Sequence, residues 1–320
     1  MTTSPAPLTP PATGDRATVL YISGLGRSGS TLLNDLVAQH KSVVSVGEVN
    51  RLLKRGLLSD QTCGCGHSFS TCELWTDVGE RLGGWENVDA ETLLAQKDAI
   101  DRNRHALKSL FPKLYPGAEV PLDGFGEWHG KMLVAVRDSA GVPLVIDSTK
   151  HISTALILRH LDSIDLRMVH LVRDVRGVAY SWTKVRKKAE EGDDRLMNQY
   201  PPGQTARRWV TLNSLFSAFS KIGVPVLRVR YEDLVADPKA AVERVLRFGG
   251  VEPGAADLPF INGNTVTFTP THSIAGNPSR FKTGEMELRP DEAWREHLDP
   301  AVRKRITQIA YPVLKKYGYL

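Results

Sequence analysis

Residues 17–23 (ATVLYIS) are a short apolar, β-branched run that passes without a break into Gly24-Leu25-Gly26-Arg27-Ser28-Gly29-Ser30-Thr31 and then into the helical pattern Leu32-Leu33-x-x-Leu36-Val37. Few folds accept that order. A buried strand ends, the chain turns on glycines and a helix begins, so a row of backbone N–H groups and the positive end of a helix dipole surround one point. The outline G-x-x-x-x-G-x-S/T is a P-loop frame and calls for a phosphate-like anion there, held by Gly26, Arg27, Ser28, Gly29, Ser30 and Thr31. Ser30 replaces the lysine that usually follows the second glycine, and the loop's cation is Arg27. A Walker lysine reaches the β and γ phosphates of a nucleoside triphosphate, so its absence weakens an NTPase reading.

Three further runs, residues 142–146 (VPLVI), 166–172 (LRMVHLV) and 224–229 (VPVLRV), read as buried parallel strands. Helical patterns over 31–38, 151–161, 175–183 and 239–248 alternate with them. The expected fold is therefore α/β, a P-loop-type three-layer arrangement with a central parallel sheet, a helical insert and C-terminal helices. Residues 1–16, with four prolines and no apolar signal core, read as a disordered leader. Residues 17–320 then form a single domain. A helical cap insert is expected over 76–140, including an Asp-capped helix over 89–110. The proline- and glycine-rich stretch 252–288 reads as an ordered but irregular lid. The basic run 184–188 (KVRKK) is answered at once by acid over 190–194 and reads as a solvated segment.

With 41% hydrophobic and 24% charged residues the chain is an ordinary globular protein, which excludes fibrous and wholly disordered classes. A net charge of +5 suits an anionic ligand without choosing its size. No apolar stretch approaches the ~18 residues of a membrane span, and cytoplasmic residence is the expectation. All three cysteines, Cys63, Cys65 and Cys72, fall within ten residues. With His67 they could form a zinc knot, but the C-x-C-x-H spacing is tighter than the usual pair, and a reduced, glycine-kinked loop is expected instead.

Two strand ends add chemistry. Arg173 follows residues 166–172 and stands eight positions before Ser181, a pair able to grip a second phosphate. Glu48 lies just past a short strand, in Ser45-Val46-Gly47-Glu48, where it can face the same cleft as a proton acceptor. Lys150 ends the strand VPLVI, where an ammonium can stabilise a departing oxygen.

Taken together, GLGRSGSTLL, Arg173 through Ser181, Tyr231-Glu-Asp-Leu, the basic loop Asn277-Pro-Ser-Arg280-Phe-Lys282-Thr-Gly and Asp147-Ser-Thr-Lys150 resemble the P-loop sulfotransferases that use 3′-phosphoadenosine 5′-phosphosulfate (PAPS), in their bacterial and Golgi-type branch. The resemblance covers residues 19–50, 144–182 and 227–284. It implies that PAPS is the donor and that no metal is required. It further implies that Arg173 and Ser181 hold the 3′-phosphate, that Tyr231 lies near the adenine, and that Arg280 and Lys282 close over the nucleotide. The base is Glu48 by comparison with Golgi-type relatives, or His151 by comparison with cytosolic ones. Arg27 and Lys150 supply positive charge, and Ser273 and Asn277 join the site. The acceptor is expected to be a small molecule, sugar or lipid, with no nucleic acid or membrane span involved. Rival readings are a P-loop kinase or NTPase, in which Val145-Ile146-Asp147 would be a metal-binding strand end, and a non-catalytic bisphosphonucleotide sensor.

Overall fold

The computed structural model describes residues 16–100, 110, 122, 124–184, 199–254 and 256–320. Residues 1–15 of the expected leader, the basic run beyond Lys184 and most of the second half of the expected 89–110 helix lie outside the described residues.

Five parallel strands form the central sheet: β1 (Ala17–Ser23), β2 (Val43–Gly47), β3 (Leu144–Asp147), β4 (Ile164–Val172) and β5 (Val226–Arg230). They are ordered β2-β3-β1-β4-β5, which is the central parallel sheet that the alternating pattern predicts. Successive side chains of a strand point to opposite faces. Ala17, Val19 and Tyr21 of β1 accordingly enter one core with Val145 and Met168, while Leu20 and Ile22 enter the other with Ile146 and Leu171. Fully burying each such side chain contributes ~1.5–3 kcal/mol, which is why the run reads as continuously apolar.

Helix α1 (Ser30–Val37) connects β1 to β2 and buries Leu33, Leu36 and Val37 on the second face. Between β2 and β3 the described residues are mainly helical, with one β-bridge pairing Thr62 and Ser68, and include α2 (Glu73–Arg81), α3 (Ala90–Ile100) and α4 (Phe125–Ala140). The expected insert boundary needs adjusting here. Helix α4 packs Met132, Leu133 and Val136 into the core under β1, so it is the crossover helix of the sheet rather than part of a cap. Helix α5 (Ile152–Arg159) follows β3, and α6 (Val175–Thr183) and α7 (Pro202–Ala218) follow β4. After β5 come α8 (Tyr231–Ala236) and α9 (Pro238–Gly249), the latter opened by Pro238 and by the Asp237 carboxylate accepting from the Ala240 N–H at 2.9 Å. At the C-terminal end α10 (Trp294–His297) and α11 (Pro300–Lys316) pack on α6 and α7 through Trp209, Trp294, Ile306 and Ala310.

The stretch expected as an irregular lid contains a three-stranded antiparallel sheet, β6 (Ile261–Asn262), β7 (Thr265–Phe268) and β8 (Gly284–Glu287). Its strands are short, but Ile261, Val266 and Phe268 are buried at alternating positions against the α1 and α9 side of the core. The prolines that suggested irregularity fall outside its strands.

Candidate active site

Backbone geometry builds the loop after β1. Arg27 and Gly29 have φ of 73° and 94°, and Gly29 caps α1 in the left-handed conformation. A Cβ on Gly29 would lie 2.5 Å from the Tyr231 ring, so glycine is needed there for space as well as for φ. The Trp182 indole N–H donates to the Gly26 carbonyl at 3.1 Å, and the Arg27 guanidinium lies over the Trp182 ring at 5.1 Å. The Ser28 hydroxyl is buried and has no hydrogen-bond partner among the described residues. A buried orphan hydroxyl in a loop opening a helix suits a phosphate-like anion.

Across the cleft, the end of β3 is pinned by Asp147, which accepts from the Thr149 N–H at 2.8 Å and the Thr149 hydroxyl at 2.6 Å. That turn sets Lys150 at a φ of 65°. Its ammonium donates to Glu48 Oε1 at 2.9 Å and to the Ser148 carbonyl, while Arg51 Nε reaches Glu48 Oε2 at 2.9 Å. Burial raises the Glu48 pKa, but the two cations outweigh burial and hold the carboxyl down at about 2. His151 Nδ1 lies 3.3 Å from Asn50 Nδ2.

These groups line one cavity of about 350 Å³, walled by Gly24, Gly26, Ser30, Thr31, Trp182, His151 and Asn277. Among the described residues, Arg27, Arg51, Arg55, Lys150 and Arg208 face it against one carboxylate, that of Glu48. Ser273 does not line it; its hydroxyl is tied to Ser45 at 3.0 Å and Thr271 at 3.1 Å, a structural position. Asp147 is fully buried, its Oδ1 accepting both bonds from Thr149, and it does not line this cavity, as the metal ligand of an NTPase would.

At the end of β4, Arg173 is buried. It donates to the Arg27 carbonyl at 3.2 Å and to Asp291 Oδ2 at 2.9 Å, and stacks over the Tyr231 ring at 4.4 Å. The Tyr231 ring is thus a spacer between Gly29 and Arg173. Ser181 is buried two turns along α6. A second cavity, of about 340 Å³, is lined by Leu32, Asp35, Tyr231, Phe268, Ser279, Lys282 and Met286. Burial pushes the Asp35 carboxyl up to about 6, against the Asn34 hydrogen bond and the Arg280 charge. Lys282 borders that cavity, whereas Arg280 turns to the Thr62 carbonyl at 3.2 Å.

Sequence reasoning missed Arg51, Arg55, Trp182, Arg208 and Asp291. Arg51 was within reach, since it stands three residues past Glu48 on a short helical turn. Asp291 and Arg208 come from distant segments and leave no local signal. The cysteine loop also differs from expectation: Cys63, Cys65 and Cys72 converge with His272, while the His67 ring lies outside that group, its Nδ1 3.7 Å from the Cys65 sulfur.

The parallel sheet, with a glycine loop and a cation-lined cleft at its strand ends, defines an α/β protein. The chain belongs to the sulfotransferase family, whose model matches residues 20–254. Its fold is similar to the sulfotransferase domain from the Synechococcus PCC 7002 olefin synthase, at 20% identity and a TM-score of 0.50 over 96% of this chain and 98% of that one. It is likewise similar to the sulfotransferase domain from the curacin biosynthetic pathway, at 19% identity and a TM-score of 0.50 over 93% and 97%. No functionally curated protein sequence matches the chain. No helix among the described residues is long and apolar enough to cross a membrane.

Proposed function

We propose that the chain moves the sulfuryl group of PAPS to a hydroxyl or amine of a small-molecule, carbohydrate or lipid acceptor and releases adenosine 3′,5′-bisphosphate. The observation that carries this reading is the Lys150–Glu48 pair facing the glycine loop across one cation-lined cavity. The loop N–H groups and Arg27 hold the 5′-phosphosulfate, Arg173 and Ser181 the 3′-phosphate, and the cavity bordered by Tyr231 and Lys282 the nucleoside.

In the resting pair, Glu48 is ionised but a weak base, because Lys150 and Arg51 neutralise it. Binding of the donor draws the Lys150 ammonium toward the oxygen that bridges sulfur and the 5′-phosphate, and Glu48 Oε1 is released. The freed carboxylate takes the acceptor proton as the acceptor atom bonds to sulfur, and the sulfur–bridging-oxygen bond breaks with its electrons passing to the bisphosphate next to Lys150. His151, on the same wall, orients the acceptor.

The test uses the purified chain, isotopically labelled PAPS and a cell metabolite extract, followed by mass spectrometry. The expected result is label in an extract component with adenosine 3′,5′-bisphosphate released in equal amount. Tight bisphosphate binding with no release above the extract-free control would instead make the chain a sensor.

A further inference from the structure

Three sulfurs and one imidazole nitrogen meet beside the cleft, outside the groups assigned to sulfuryl transfer. Cys63 and Cys72 are fully buried. Cys72 Sγ lies 3.7 Å from Cys63 Sγ, 3.6 Å from Cys65 Sγ and 3.2 Å from His272 Nδ1, and all four donor atoms fall within 4.8 Å of one another. In a tetrahedron with Zn–S of about 2.3 Å and Zn–N of about 2.0 Å, the ligand atoms sit about 3.5–3.8 Å apart. The distances at Cys72 match this to about 0.3 Å, and the longest separation must close by about 1 Å.

We propose that Cys63, Cys65, Cys72 and His272 bind one Zn²⁺ in a closed, structural site. The donor set argues for this metal: three soft sulfurs and an imidazole suit zinc and not magnesium or calcium, and four protein ligands leave no position for a reacting water. A disulfide would use two of the three sulfurs and strand a thiol against the imidazole. On binding, the three thiols lose their protons to solvent, and the Zn²⁺ with three thiolates and a neutral imidazole carries a net charge of −1. The His272 carbonyl accepts from the Trp75 indole N–H at 3.2 Å, which ties the backbone of that segment to the helix following the cysteine loop.

The metal would join segments 200 positions apart, the cysteine loop and the stretch that follows His272. Backbone bonds already run between these segments and β2: Gly64 N–H to Ser273 O at 3.0 Å, Ile274 N–H to Val46 O at 3.3 Å, and Glu48 N–H to Ala275 O at 3.0 Å. Zinc therefore braces the wall that carries Glu48 on one side and Asn277 on the other.

The full chain, purified without chelator, should contain one zinc per chain by elemental mass spectrometry. After exchange, cobalt should give the visible bands of a tetrahedral thiolate site. His272→Cys should keep one metal and shift those bands, His67→Ala should change neither metal content nor spectrum, and Cys65→Ser, at the partly exposed ligand, should lose zinc on dialysis. Zinc content well below one per chain even after reconstitution, equal loss in His67→Ala, or the two-hydrogen mass deficit of a disulfide would overturn the proposal. Metal content is read without turnover, so its failure would leave the sulfuryl-transfer reading standing.

Discussion

On the side of the cleft proposed to hold the donor, three groups sit within a few residues of a strand end: the glycine loop after β1, Lys150 after β3 and Arg173 after β4. The wall beside Glu48 is assembled differently, from the end of β2, the cysteine loop and residues 271–277, held together by bonds between segments some 200 positions apart. The donor side is thus set by local backbone conformation, with positive φ at Arg27, Gly29 and Lys150. The wall depends on long-range closure. Changes on the first should therefore be read in nucleotide binding, and changes on the second in the chemical step or in the integrity of the fold.

The largest expected effect breaks the wall's chemistry while leaving the donor side intact. Glu48→Gln keeps shape but removes the proton acceptor, and should slow single turnover by about 10²–10⁴ with bisphosphate affinity near wild type. His151→Ala should cost much less. The pH profile sharpens this assignment: because Lys150 and Arg51 hold Glu48 down at about 2 and the donor draws Lys150 away, its pKa in the donor complex rises toward the ordinary carboxylate value. The rate should then fall on acidification only in the carboxylate range. A limb well above the carboxylate range would contradict the assignment of Glu48 as the base.

A smaller effect is expected from Gly29→Ala on the donor side. A side chain there must hold a φ of 94° and would meet the Tyr231 ring, a strain of about 1–3 kcal/mol. Thermal melting and bisphosphate titration should both register it, and an unchanged affinity would show that the loop is not set by its backbone. Smallest of all, Asp291→Asn should tighten bisphosphate binding a few-fold, since the Asp291 carboxylate occupies the Arg173 guanidinium that the 3′-phosphate would take. Weaker binding would mean that Asp291 orients Arg173 instead of competing for it.

The same contrast explains what could be read from the sequence. The alternating strands and helices, and the residues next to strand ends, were legible because the hydrophobic period and the glycine spacing are local signals. Helix α4 was misplaced in a cap because amphipathicity tells that a helix packs, not on what; its Met132 and Val136 meet the sheet. The small antiparallel sheet was hidden because β6 has two residues and β7 and β8 four each, too few to outweigh neighbouring prolines. His272 could not be paired with Cys72, since no local spacing links positions 200 apart; proximity favoured His67. Asp291 on Arg173 was invisible for the same reason.

In the proposed reaction Arg173 reads the 3′-phosphate and so makes PAPS the donor. Calorimetric titration of wild type and Arg173→Ala, each with adenosine 3′,5′-bisphosphate and with adenosine 5′-phosphosulfate, tests it directly. Loss of about 2–4 kcal/mol for the bisphosphate with little change for the phosphosulfate is predicted, because only the former leaves a charged phosphate without its guanidinium. Equal losses for both ligands would contradict it and return Arg173 to the role of a structural partner of Asp291 and Tyr231.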